Sequence, residues 1–248
     1  MQPPIALFSD VHSNLEALEA CLKHARDNGA ARYAFLGDLV GYGADPVAVV
    51  ETVQRFASEG AIAVKGNHDD AIENRAGYMN DATKDSIEWT RKALGPQHKA
   101  FLASLPLVWR DEGMCLVHAS AASPERWDYV DGPSAARRSA EAAQAGYVFS
   151  GHVHEQLLYF ESSLGKWSAF RPTPGSAIPV SRRRRWLALV GSVGQPRDGK
   201  AAAAYAMFDL LREQLTFHRV AYDQSVAARK IRRAGLPESH AYRVERGI

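Results

Sequence analysis

Asp10 and His12 stand two residues apart, directly after the short apolar run from Ile5 to Phe8. If the alternation of a strand persists through Val11, both side chains point to one side. A hard oxygen donor and a borderline nitrogen donor then face a single point, as a transition-metal site requires. Taken alone, an Asp-x-His pair is a common loop sequence. Its weight comes from recurrence. Gly37-Asp38, Gly66-Asn67-His68-Asp69, His118 and Gly151-His152-Val153-His154 each follow another short apolar run. Five of the nine histidines, with Asp10, Asp38 and Asn67, fall at expected strand exits. One polar residue in such a place is ordinary. Eight ligand-type residues at the exits of five strands point to convergence on one site.

The elements that must position them read as alternating strands and helices. The run at 5–8 is expected as a buried strand, and Ser13 with Glu16 as a capping box that opens a helix over 14–28. That helix carries Leu15, Leu18, Leu22 and Ala25 on one stripe and stops at Gly29. Strands are expected at 33–36 and 61–64, with a helix between them that starts at Asp45-Pro46. This βαβ rhythm means a parallel sheet whose carboxyl edge collects ligands. Residues 70–105 turn helical, with Asp81 as a cap and a short helix after Pro96, and are expected to lie over the site. Strands follow at 107–110 and 114–117 around Glu112-Gly113, then a helix over 134–145 and a strand at 147–149. After Glu155 come runs at 157–160, 166–170, 186–190, 203–208 and 215–220, expected as an antiparallel second sheet packed on the first. A last amphipathic helix is expected over 225–234. No repeat or linker interrupts the chain, so 1–248 is read as a single domain.

Composition narrows the class. A chain of 248 residues can bury a sizeable core without staples. The net charge of +2 by itself predicts neither a nucleic-acid nor a membrane partner. Cys21 and Cys115 both lie in apolar patterns and read as buried thiols in a reducing compartment. No basic leader precedes an apolar core, and no apolar run approaches the ~20 residues of a membrane span. The expected location is therefore cytoplasmic. The run Arg182–Arg185 is read as a solvated strand or turn rather than a nucleic-acid patch, since only Trp186 accompanies it. Trp89, Trp109 and Trp127 are expected in core or cap packing. His24, His98, His218 and His240 fit no block and are expected at the surface or in packing.

The blocks Asp10-x-His12, Gly37-Asp38, Gly66-Asn67-His68-Asp69, His118 and Gly151-His152-x-His154 stand in an order and spacing that resembles the calcineurin-like metallophosphoesterases. The likeness is greatest to their small bacterial and archaeal phosphodiesterase branch. It extends to Gly191-Ser192-Val193-Gly194-Gln195-Pro196-Arg197, but covers neither the 70–105 segment nor the chain after 221. The resemblance implies a four-layer α/β/β/α sandwich of two mixed sheets flanked by helices. It also implies a two-metal centre. Asp10, His12 and His154 would hold the first ion, Asn67, His118 and His152 the second, and Asp38 would bridge both. His68 would stand beside the metals as general acid, with Asp69 orienting it and keeping it protonated. Tyr42 and Arg197 are candidates for contact with the substrate phosphate or leaving group.

Such a centre would hydrolyse a phosphate ester through a bridging hydroxide. Two divalent ions outweigh the two carboxylates, so the site attracts a phosphate ester and lowers the pKa of bound water towards ~7. Imidazoles argue against Mg²⁺ and Ca²⁺, and for manganese first, with iron, zinc, cobalt or nickel as alternatives. A phosphodiester is expected before a monoester. The substrate would be a small phosphate ester or a nucleotide. Self-association is left open. Three rivals remain. A protein phosphatase or dinucleoside polyphosphate hydrolase usually carries an arginine after the Gly-Asp motif, where Gly41-Tyr42-Gly43 stands here. A non-catalytic module of the same fold usually lacks several ligands, and this chain lacks none. A nuclease would have to use the arginine run.

Overall fold

The two faces of each central strand bury different side chains, and that alternation stacks the layers. The computed structural model describes residues 3–74, 80–111 and 113–248; the expected turn residue Glu112 and residues 75–79 of the helical segment lie outside them. The first part of the chain comprises β1 (Ile5–Phe8), α1 (Leu15–Asp27), β2 (Arg32–Phe35), α2 (Pro46–Ser58) and β3 (Ile62–Ala63). Three helices follow: α3 (Asn67–Asp70), α4 (Asp81–Ala93) and α5 (Pro96–Ser104). Next come β4 (Val108–Asp111), β5 (Met114–Val117), α6 (Pro133–Ala143) and β6 (Tyr147–Ser150). The remainder is β7 (Gln156–Glu161), β8 (Trp167–Phe170), β9 (Ala177–Pro179), β10 (Trp186–Val190), β11 (Ala203–Asp209) and β12 (Gln214–Val220). It ends in α7 (Gln224–Arg233) and α8 (Glu238–Arg246).

The strands form two six-stranded sheets, ordered β3-β2-β1-β11-β12-β9 and β4-β5-β6-β10-β7-β8. In the first, β1, β2 and β3 run parallel; in the second, β5, β6 and β10 do. The remaining pairs are antiparallel, so both sheets are mixed. Ile5 and Leu7 point between the sheets, into a core shared with Leu116, Phe149, Val190 and Phe208. Ala6 and Phe8 point the other way, onto Leu18 of α1 and Val50 of α2. The far face of the second sheet packs Cys115, Val117, Leu187 and Leu189 against the alanines of α6. Each fully buried Leu, Val or Phe contributes ~1.5–3 kcal/mol. The product is the expected four-layer α/β/β/α sandwich. Both cysteines are buried free thiols, and burial pushes Cys115 up to about 11.

Several expectations need correction. The late strands do not make a sheet of their own. Strands β9, β11 and β12 complete the first sheet, and β7, β8 and β10 complete the second. The reason lies in β1, buried on both faces, which needs a neighbour on each edge and takes β11 with Ile5 opposite Phe208. Helix α1 is not opened by a Ser13–Glu16 box. Asn14 is the cap, its Oδ1 accepting the Ala17 N–H at 3.2 Å, while Ser13 sits in the left-handed region at φ 52°. Asn80, not Asp81, caps α4 by accepting the Thr83 N–H at 3.0 Å. The arginine run is a turn between β9 and β10. Arg182 pairs with Glu213 at 3.0 Å, and Arg185 holds Glu161 in a two-pronged contact at 2.8 Å. Among the described residues, no helix is long and apolar enough to cross a membrane.

Candidate metal centre and active site

The exits of β1, β2, β3, β5 and β6 each deliver part of one buried cluster. Asp10 and His12 do not reach it by strand alternation, because β1 ends at Phe8. The chain instead coils through left-handed backbone. Asp10, His12, Ser13, Asp38, Tyr42, His152 and His154 are seven of the eleven non-glycine residues with positive φ among the described residues. Each such residue stores ~1–3 kcal/mol of strain, and strain of this kind concentrates where geometry serves function. Close packing of the loops enforces it. A Cβ on Gly151 would run into Ser9 Oγ and Asp10 Oδ2.

Two carboxylates organise the centre in the same way. Asp38 Oδ1 accepts the backbone N–H of His68 at 2.8 Å. Its Oδ2 is left facing three imidazoles: His118 Nε2 at 3.4 Å, His12 Nε2 at 3.6 Å and His68 Nε2 at 3.9 Å. Asp10 Oδ2 accepts the backbone N–H of His152 at 3.0 Å. Its Oδ1 faces His154 Nε2 at 3.1 Å and His12 Nε2 at 3.8 Å, and is buried without a hydrogen-bond donor. Asn67 Oδ1 and His152 Nδ1 lie 3.1 and 3.2 Å from His118 Nε2.

The tautomers explain this crowding. His12 Nδ1 lies 3.1 Å from Val40 O, His118 Nδ1 2.8 Å from Leu36 O and His154 Nδ1 2.6 Å from Gln195 O. A carbonyl can only accept, so each ring carries a proton on Nδ1 and points Nε2 inward, where a lone pair is free for a cation once the ring is neutral. His12 Nε2 and His154 Nε2 sit 3.1 Å apart. Lone pairs and carboxylate oxygens packed this closely repel unless a cation lies among them. The donor set, oxygen plus imidazole, fits a divalent transition metal. Three overlapping groups have ligand atoms within 4.8 Å of one another: Asp10, His12 and His154; His12, Asp38 and His68; Asp38, His118 and His152.

Electrostatics agrees. Burial acts to raise Asp10 and Asp38, but the surrounding imidazoles win and hold both below the usual carboxylate range. Burial acts to lower His118, yet Asp38 raises it to about 9. Burial drives His152 down to about 3 and His12 below its ordinary value. Positive charge is therefore favoured at His118 beside Asp38, while burial favours the neutral ring at His12 and His152.

The remaining expected residues sit as follows. His68 opens onto the same cavity, and burial lowers it to about 4 against the pull of Asp38. Its Nδ1 is buried without a partner. Asp69 does not touch that ring by hydrogen bond. Its Oδ1 accepts the amides of Leu39 and Val40 at 2.9 and 3.3 Å, and its Oδ2 that of Gly66 at 2.9 Å. Asp69 thus ties the β2 exit to the β3 exit, and burial together with Asp38 raises it to about 7. Tyr42 packs between His12, His68 and His240 at ring separations of 4.4, 4.5 and 4.7 Å. Arg197 reaches the Tyr42 hydroxyl at 3.4 Å and Gln195 Oε1 at 3.1 Å. The Gly191–Arg197 turn docks on the first ligand loop, with Ser192 Oγ donating to Asp10 O at 2.8 Å and Gly194 N to the same oxygen at 2.9 Å.

Asp38, Tyr42, Asn67, His68, His152, His154 and Arg197 line a cavity of about 660 Å³. Asp70, Ala71, Asn74, Asn80 and Thr83 bring the start of the helical segment to its wall, as expected of a cover over the site. Sequence reasoning missed the opposite contribution, Glu125 to Tyr129. Trp127 is a wall residue, not core packing, and Tyr129 stacks on His152 at 4.1 Å. The available signal was two aromatics spaced by one residue in a polar loop after His118. His240, expected at the surface or in packing, is buried behind Tyr42 and contacts Ala82 O at 3.1 Å.

A sandwich of two mixed sheets whose joined edges gather acids and imidazoles around a cavity defines a metallophosphoesterase. The sequence profile of the calcineurin-like phosphoesterase superfamily domain matches residues 4–213, and the chain belongs to that superfamily. An uncharacterized protein of Methanocaldococcus jannaschii is 34% identical over 246 residues, 94% of each chain. The crystal structure of a metallophosphoesterase from Sphaerobacter thermophilus is 36% identical, with a TM-score of 0.89 over 99% of each chain. A hypothetical protein from Pyrococcus horikoshii OT3, 18% identical, shares the fold at a TM-score of 0.79 over 99% of this chain and 98% of that one.

Proposed function

We propose that the chain is a phosphodiesterase that works with two divalent cations, manganese first among them. The observation that carries this is Asp38, one oxygen fixed by a backbone amide and the other turned to three imidazoles. Asp10, His12 and His154 would hold one cation, Asn67, His118 and His152 the other, and Asp38 both. Bound there, the cations would act as Lewis acids and lower the pKa of water towards ~7. The chain's own groups do the rest. Water attacks phosphorus and releases a proton to solvent, the bond to the leaving ester oxygen breaks, that oxygen takes a proton from His68, and His68 regains one from solvent. A substrate phosphate beside His68 opposes the effect of burial and favours the protonated ring. Arg197 and Tyr42 face the cavity and suit the non-bridging oxygens. The cavity has room for the second ester group of a diester. The phosphatase and dinucleoside polyphosphate readings want a guanidinium from the loop after Asp38, where Tyr42 stands.

The test pairs Asp38→Asn and His68→Ala on an alkyl and an aryl phosphodiester with Mn²⁺. Asp38→Asn should lose both turnover and bound metal. His68→Ala should keep its metal and lose ~10²–10⁴-fold in kcat on the alkyl ester. Its loss on the aryl ester should be smaller, because a phenolate leaves without a proton. Wild-type turnover of the alkyl ester by both variants would sink the assignment.

A further inference from the structure

We propose that Tyr129 is a stacking platform for a nucleobase, so that the ester cleaved belongs to a nucleotide; this rests on the phosphoesterase reading above. Tyr129 is 54% exposed although it lies in the cavity wall. One face stacks on His152, centroids 4.1 Å apart and planes 27° apart. Among the described residues, no other ring contact and no hydrogen bond engages it. The segment that carries it is fixed at both ends. Ser120 N donates to Asp128 O at 3.2 Å, and Val130 is buried with its carbonyl accepting from the Tyr159 hydroxyl at 3.4 Å. Trp127, two residues back, meets His118 edge-on at 6.0 Å and continues the same wall.

A rigid aromatic ring with an exposed face binds a planar partner at little entropic cost. The platform stands one imidazole away from the centre, since His152 Nδ1 is 3.2 Å from His118 Nε2. A planar group attached close to a bound phosphate therefore falls within reach of it. The cavity volume of about 660 Å³ suits a ligand of nucleotide size. The rival role for Tyr129 is to orient His152, which would affect every phosphate ligand equally.

The experiment is calorimetric titration of the Mn²⁺-loaded protein with inorganic phosphate, ribose 5-phosphate and adenosine 5′-monophosphate. Base stacking should make the adenosine ligand bind about tenfold tighter than ribose 5-phosphate in the wild type and in Tyr129→Phe. Tyr129→Ala should bring the two together and leave phosphate affinity as it was. Equal affinities of the two ligands in the wild type would overturn the platform, and so would a Tyr129→Ala loss shared equally by all three. Absence of phosphate binding altogether, with no turnover of any diester, would instead overturn the phosphoesterase reading.

Discussion

Gly41 shows how tightly the proposed proton donor is confined. Its φ is 87°, and a Cβ there would collide with His68 Nδ1. Gly41→Ala should turn the imidazole away from the leaving oxygen without touching a ligand. A misplacement of ~1 Å can cost ~10²-fold, so kcat on an alkyl diester should fall by about that factor while metal content stays full. Turnover kinetics beside elemental analysis read both, and undiminished kcat would show that His68 does not supply the proton. At this scale the sequence was informative because the chemistry dictates residue type. Acids, amides and imidazoles are among the few side chains that coordinate such metals, and they are rare enough at strand exits to stand out. The partners of Asp69 were hidden for the converse reason. Its partners are backbone amides, which every residue except proline has, so no spacing in the sequence could reveal them.

Among the elements, that same aspartate joins the loops after β2 and β3. Removing its carboxylate leaves the buried amides of Leu39, Val40 and Gly66 without an acceptor. An orphaned buried donor costs ~1–3 kcal/mol, and each kcal/mol lowers the midpoint of a chain this size by ~2–4 °C. Asp69→Ala should therefore melt at least about 6 °C lower in a thermal scan, and Asp69→Asn, which keeps one acceptor oxygen, should recover part of the loss. An unchanged midpoint would mean that the two loops are held by other contacts. The βαβ start of the chain was legible because helices and strands alternate with different hydrophobic periods. The destinations of the late strands were not. A short apolar strand buried on both faces looks the same whichever sheet receives it, and only the need of β1 for a second neighbour decides the matter. The left-handed loops were equally hidden, because Asp and His tolerate that backbone without advertising it.

For the molecule as a whole, the strained loops and the inward-facing ring nitrogens would be offset by a cation held among them. A ligand at 100 times its Kd stabilises the folded state by ~2.7 kcal/mol, which at ~2–4 °C per kcal/mol is a shift of ~5–11 °C. Dialysis against a chelator should lower the midpoint by that much, and Mn²⁺ should restore it; a midpoint indifferent to both would argue that the centre holds no metal. The pairing of β1 with β11 has a consequence for biosynthesis. Ile5 waits for Phe208, about two hundred residues later in translation. At ~5–20 residues per second, the amino-terminal strand leaves the ribosome roughly ten to forty seconds before its partner. The Gly191–Arg197 turn that braces Asp10 arrives almost as late. A nascent chain stopped at Arg185 should accordingly be digested by protease at β1, because the buried centre can close only when synthesis is nearly finished.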